Sequence, residues 1–373
     1  MEEISRRGLL RNGSAGVFAV GTAGLAGCTS SIPGFGDDYS GANIKNWLVG
    51  FSFADFFQES EWKETLYQGG EIDDSEREID FAYVAPEPFL DHEEELSGYS
   101  QKMLEGEELR GKIGVPLMET DWALTQSVTW QYSYSYEEET WGGDTQTVED
   151  RGNTGVSIGI ASGSFDTDDI ADNLERWIDD RTPDEVDGTE YELASEGEYE
   201  GYQLYQYEVE NTVFAVDSNH VLEVSGGDYL DTIELAEAVL DVRWNQENRL
   251  ADEEDGEALL SRFDTGHYST GTLHEPLSSD EDDTPSWQGS PDLAEYEEGL
   301  VGKTTSYELD GSETDISEIY LYETERDADA ETLREHVDVN RDLRDDWPTM
   351  EDYSISDHDR TLVLNGTMRT RIV

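Results

Sequence analysis

Gly155-Val156-Ser157-Ile158-Gly159-Ile160-Ala161-Ser162, then Gly163-Ser164-Phe165-Asp166, then Thr167 to Asp179, is the stretch on which the fold reading turns. Its first eight residues alternate as a strand does. Helix Asp166 to Asp179 then opens on acidic residues and carries Ile170, Leu174, Trp177 and Ile178 at helical spacing. The same order returns as strand Ile316 to Glu323, the cap Asp327-Ala328-Asp329 and helix Ala330 to Val339. Tyr202-Gln203-Leu204-Tyr205 and Thr212 to Val216 are matched by Tyr353 to Ser356 and Thr361 to Leu364. Upstream, strand Glu78 to Ala85, helix Pro86 to Leu104 and strand Thr125 to Tyr136 are echoed by Gly266 to Leu273, Pro291 to Gly299 and Thr304 to Leu309. Each half therefore reads β-α-β-β-α-β with extra strands. The expected fold class is α+β, two tandem ferredoxin-like modules with antiparallel sheets, over 44–250 and 251–373.

Between these elements, Trp47, Leu48, Val49, Phe51, Phe53, Phe56 and Phe57 form a dense apolar entry segment. Gly142 to Gly152 reads as a polar excursion, Arg181 to Glu200 as a polar loop, and Asp217-Ser218-Asn219-His220 as a tight turn. Ile233 to Leu250 reads as a long amphipathic helix, followed by the acidic stretch Ala251 to Glu257. In the strand Thr125 to Tyr136, Trp130, Tyr132, Tyr134 and Tyr136 share one face. Trp130, Tyr132 and Tyr134 are candidates for stacking on a sugar or other planar ligand; the plainer reading is a sheet face covered by a helix.

The N-terminus sets the destination. Arg6-Arg7 precedes a weakly apolar run from Gly13 to Ala26, and Leu25-Ala26-Gly27-Cys28 ends it. Paired arginines in that position are a twin-arginine export signal, and the small residues before Cys28 form a lipobox. Met1 to Gly27 is then removed and the Cys28 thiol takes a lipid, anchoring the chain to the outer face of the cytoplasmic membrane. An uncleaved membrane helix is the alternative, but the run falls short of the roughly 20 apolar residues a span needs. Residues 28–43, rich in Ser, Gly, Asp and Pro, read as a flexible tether.

Removing Met1 to Gly27 leaves 346 residues with 20 basic and 87 acidic groups, a net charge of −67. Such self-repulsion opposes compaction at low salt, whereas at 1 M the Debye length falls to about 3 Å. The composition is that of a protein folded in brine, from an extreme halophile. An acidic disordered chain would lack the 9 Trp, 19 Tyr and 11 Phe found here, which supply a core. The charge repels phosphate backbones and excludes nucleic acid as a partner. Cys28 is the only cysteine, so no intrachain disulfide forms.

With the twin-arginine lipobox ahead of the repeat and Gly163-Ser164-Phe165-Asp166 leading into the helix, the chain resembles a family of uncharacterised haloarchaeal lipoproteins with a duplicated α+β domain. The resemblance implies the location and the two-copy architecture, and brings no activity or catalytic residue. His92, His220, His267, His274, His336 and His358 show no metal-ligand spacing. The acidic start of the helix at Asp166 lacks the Gly turn and distal Glu of a calcium loop and reads as a cap. With 89 acidic residues, carboxylates adjacent in sequence are not diagnostic, and Asp280 to Asp283 reads as a solvated loop. Asn365-Gly366-Thr367 is a glycosylation sequon, with Asn365 the acceptor. No catalytic residue, cofactor or metal is assigned. The functional expectation is a lipid-anchored, non-catalytic surface protein that binds a surface protein or small ligand. Its alternatives are an anchored hydrolase built from carboxylates and a solute receptor with a cleft between modules.

The charge makes one prediction at this stage. The mature chain loses its circular dichroism signature on dialysis into low salt and regains it in molar salt; equal stability at about 0.1 M salt, where the Debye length is about 10 Å, contradicts the brine reading.

Overall fold

Ile79, Phe81 and Tyr83 alternate with Glu78, Asp80 and Ala82 along one strand, so one face of that strand is apolar and the other polar. In the computed structural model this strand lies at the middle of a sheet of 12 strands. The structure describes residues 44–52, 56, 72–91, 113, 115–139, 145–181, 193–227, 230–278, 295–343, 350 and 352–370. Arg6, Arg7, Cys28, the tether and the Asp280 to Asp283 stretch lie outside them.

In chain order the elements are β1 (Ile72–Val84), α1 (Glu87–Asp91), β2 (Trp122–Glu139), β3 (Thr145–Ser162), α2 (Thr167–Arg181), β4 (Ala194–Tyr199), β5 (Tyr202–Tyr207), β6 (Thr212–Val216) and β7 (His220–Gly226). Then follow α3 (Thr232–Trp244), α4 (Glu254–Leu260), β8 (Tyr268–Leu273), β9 (Leu300–Asp310), β10 (Glu313–Tyr322), α5 (Ala330–Leu343), β11 (Asp352–His358) and β12 (Thr361–Arg369). Across the sheet the order is β11-β12-β10-β9-β8-β1-β2-β3-β7-β6-β5-β4.

The two tandem ferredoxin-like modules expected from the sequence do not form. β1 and β8, the first strands of the supposed modules, hydrogen-bond to each other from Ile79↔Leu273 to Val84↔Tyr268, so one sheet runs through both halves. Every pairing is antiparallel, as the modules would also have been, so it is the single continuous strand order that rules them out. β3 and β10 each lie third from the β1–β8 seam and lead into a helix, but the later strands do not correspond. β12 borders β10, while β6, matched to it in sequence, is separated from β3 by β7. The tandem repeat is therefore not supported, and the cleft between modules goes with it.

Local expectations fared better than their assembly. The cap reading of Asp166 holds: its Oδ1 accepts from the Asp168 and Asp169 amides at 3.1 and 3.4 Å. The turn at Asp217 closes with its amide on the His220 carbonyl at 3.0 Å. From Thr145 the polar excursion is instead the start of β3, paired with β2 from Glu139↔Thr145 onward; it is polar because Thr145, Gln146 and Thr147 are exposed there. Part of the polar loop 181–200 is edge strand β4, whose pairing slips between Ser195 and Gly197, and this bulge with its glutamates blunts the edge against further pairing. The long helix stops at Trp244, since Gln246 and Asn248 take positive φ values of 59° and 52°. Helix Pro86 to Leu104 is described only as α1, and Pro291 to Gly299 only as a 3-10 turn at Glu295–Glu297.

The front face of the sheet takes Ile79, Phe81, Leu124, Val128, Ile158 and Leu222, and is covered by the entry segment, α3 and α4. Phe81 lies over Gly271 across the seam: a Cβ at Gly271 would fall 2.1 Å from the Phe81 ring, so any side chain there would displace it. On the back face α2 covers one end, with Leu174 and Trp177 against Phe214 and Val221. At the other end α5 packs Leu333 and Val337 on Tyr320, Leu362 and Leu364.

The entry segment is a strap across the front core, with Trp47, Leu48 and Val49 fully buried. Gly50 donates to the Asn248 carbonyl at 2.8 Å and Leu250 to the Leu48 carbonyl at 2.9 Å. Gln126, buried on β2, meets the other side of the strap. Its Oε1 accepts from the Val49 amide at 2.9 Å and its Nε2 donates to the Val49 carbonyl at 2.8 Å. Gln126→Leu orphans both buried backbone groups and is expected to cost about 2–6 kcal/mol, at roughly 1–3 for each group left unmade. Chemical denaturation in molar salt measures it; a loss below about 1 kcal/mol would mean the strap is held by packing alone.

Candidate functional site

The centre of the back face, between the ends covered by α2 and α5, carries a small apolar cluster of Val84, Ala123 and Tyr268 with Phe89 and Leu117, and beside it a polar region. Strand alternation places Glu78, Asp80 and Ala82 of β1 there, because Ile79, Phe81 and Tyr83 are committed to the front core. Register then aligns Ser157, Ser127, Asp80, Thr272, Lys303 and Tyr320 in one row across six strands, β3-β2-β1-β8-β9-β10. The neighbouring row reads Gly159, Thr125, Ala82, Thr270, Thr305 and Glu318. Groups from both halves of the chain thus converge at the seam.

Lys303 anchors the row. Its Nζ lies 2.8 Å from Glu318 Oε1 and 4.8 Å from the centre of the Tyr320 ring. The Glu318 carboxylate, 7% exposed, also accepts from the Tyr320 hydroxyl at 2.5 Å and from Thr305 at 3.4 Å. A buried charge so surrounded is satisfied, and removing one partner would leave it uncompensated. Burial, then the charge of Glu318, pushes the Tyr320 phenol well above its ordinary range. Glu318 also raises the Tyr307 phenol, behind the larger effect of burial.

Glu78 and Asp80 are the reactive pair. They share one face of β1 two residues apart, about 6.8 Å along a strand. Lost hydration and then the charge of Asp80 raise the Glu78 carboxyl to about 7. Asp80 reaches solvent, yet the surrounding sheet removes part of its hydration and raises it too, against the Thr272 hydroxyl and His274, which lower it. His274, whose Nδ1 lies 2.7 Å from the Glu275 carbonyl, is lowered by burial. The seam therefore presents two carboxyls that resist ionisation, a partly desolvated imidazole, hydroxyls from five strands and an ion-paired lysine. Such a surface can exchange protons with a bound group and hydrogen-bond it, and Glu78 is the group whose acidity suits a general acid.

The sequence had selected other residues. Trp130 is fully buried in the front core, so it offers no open platform; the side chains of Tyr132 and Tyr134 lie outside the described residues. His220 stacks against Trp47 and Trp122 at 5.3 and 6.2 Å, and its Nδ1 meets the Tyr202 hydroxyl at 3.2 Å. Asn365 is exposed but sits within β12, paired with Ser317 on one side and Ser354 on the other. Among the described residues no group of three or more His, Cys, Asp or Glu side chains is arranged to hold a metal ion, and no helix is long and apolar enough to cross a membrane. What sequence reasoning missed is the set Glu78, Asp80, Thr272, His274, Lys303 and Glu318. The available signal was Lys303 itself, a lysine just ahead of the expected strand Thr304 to Leu309 in a chain with 23 basic and 89 acidic residues.

No family model and no curated protein matches the chain. Among solved structures it is similar to crystal forms I and III of TP0453, at 10% identity, with TM-scores of 0.38 and 0.37, covering 79% and 78% of this chain and 90% of that one.

The raised Glu78 carboxyl fixes the sign of one pH effect. Between the ordinary value of 4.5 and about 7 the folded chain holds a proton there that the unfolded chain has released, so stability falls as pH rises through that window. Glu78→Gln removes this slope. Thermal melts at constant molar salt are expected to be flatter in the variant across the window; an unchanged slope would place the titration elsewhere.

Proposed function

We propose that this is a lipid-anchored protein on the outer face of the cytoplasmic membrane of a halophile, acting by binding, with the polar seam of the back face as its ligand surface. What carries the reading is the six-strand row from Ser157 to Tyr320, which gathers donors, acceptors and protonatable groups from both halves of the chain on one continuous face. The partner is an uncharged or cationic small ligand or surface protein, because the acidic chain repels anions and nucleic acid alike. A hydrolase is the second reading, favoured by the Glu78 carboxyl held near 7 beside Asp80. The two carboxyls stand side by side on one strand, which suits proton sharing with a ligand better than attack from opposite sides of a scissile bond.

Location rests on Arg6, Arg7 and Cys28, since two lipid chains give stable anchoring where none gives little. Cys28→Ser is expected to move the protein from the membrane fraction to the medium, or to leave it unprocessed. Full membrane retention of an uncleaved chain beginning at Met1 would replace the lipid anchor with a membrane span.

A further inference from the structure

We propose a second binding site on the front face, in the trough over β9, β10, β12 and β11, for a neutral polyhydroxylated chain such as a linear saccharide. Beside α4, which packs on β9 and β10, lies a cavity of about 710 Å³ whose lining includes Arg262 and Asp264. Register sets Ser306, Ser317, Asn365 and Ser354 in one row along its floor. None of these four side chains is hydrogen-bonded among the described residues, so each offers its donor and acceptor to the trough. The next row outward is Glu308, Asp315, Thr367 and Asp352.

Strand spacing puts one such group about every 4.8 Å. A chain of hexose units has a repeat close to that, and crossing four strands gives it room for about three units. Carboxylates beside the row accept pairs of ligand hydroxyls and turn away polyanions. A cation is the competing occupant. In brine, the setting proposed above and on which this step rests, charges are screened within about 3 Å and molar inorganic cations compete for the same carboxylates. Neutral hydroxyls and an amide in fixed register keep their selectivity under those conditions.

The sequon bears on the same floor. Asn365 is locked between β10 and β12's other neighbour, β11, by pairing with Ser317 and Ser354. A chain exported already folded would present it in that closed state, so Asn365 stays unmodified and free to bind.

The test is saturation-transfer NMR of the full mature protein in molar KCl with cellohexaose, using spermine and a hexagalacturonate as cationic and anionic comparators. Transfer to cellohexaose alone is expected, weakened about tenfold by Asn365→Asp, the scale of one lost hydrogen bond. Ser354→Ala, on the exposed edge strand where the fold is least at risk, should weaken it about threefold. The proposal is overturned by absence of transfer to cellohexaose, by preference for spermine, or by equal binding in both variants. A glycan found on the Asn365 peptide by mass spectrometry overturns it too, since the trough would then hold the protein's own sugar. None of these outcomes alters the membrane fractionation of Cys28→Ser, so failure here is separable from failure of the anchoring reading.

Discussion

Everything in this molecule hangs on the pairing of β1 with β8. Six residue pairs, from Ile79↔Leu273 to Val84↔Tyr268, join strands nearly 200 residues apart in sequence and turn two runs of hairpins into one sheet. A slip of one residue would exchange its faces, sending Asp80 into the front core and Phe81 to the back. Phe81 over bare Gly271 guards against this, because only that register gives the ring its place. The strap reinforces it from the front. Arg77 of β1 donates to the Gly50 carbonyl at 3.0 Å and pairs with Glu253 ahead of α4, so strap, seam and the connection between α3 and α4 are tied at one point.

How much of this was legible follows from the range of the forces involved. β2, the Asp166 cap, α2 and the Asp217 turn were readable because alternation, capping and turn chemistry act over a few residues. The sheet order was not, since Ile79 does not announce Leu273 as its partner. Matching elements by order then paired β6 with β12, although one lies inside its half of the sheet and the other directly beside β10. β4 escaped because a wet edge strand with Glu196 and Glu198 looks like a loop.

The site was hidden for a related reason. Among 89 acidic residues nothing local separates Glu78 and Asp80 from the rest. Lost hydration raises both carboxyls above their ordinary range, the charge of Asp80 adds to it at Glu78, and the burial comes from neighbours that register supplies across β2 and β8. Trp130 misled in the opposite direction: an aromatic stripe is conspicuous in sequence, yet alternation sends Trp130 to the same face as Leu124 and Val128, under the strap. Conspicuous residues here are core, and the candidate surface is made of ordinary ones brought into line.

The basic residues show what the fold does with scarce positive charge. Arg77 joins β1 to Glu253, Arg360 in the β11–β12 turn reaches Asp255 of α4 at 2.6 Å, and Lys303 joins β9 to Glu318 of β10. Each spans elements that chain connectivity alone would not hold together, and each is partly shielded from solvent. Exposed pairs would contribute little in brine, where screening reaches down to contact distance, whereas shielded ones retain their strength. Lys303 is therefore already committed to Glu318 and does not neutralise Asp80 in its own row or Glu78 in the next. Lost hydration holds those two carboxyls above their ordinary range, and a ligand that supplies hydroxyls or a proton of its own meets the need that the protein leaves open at its seam.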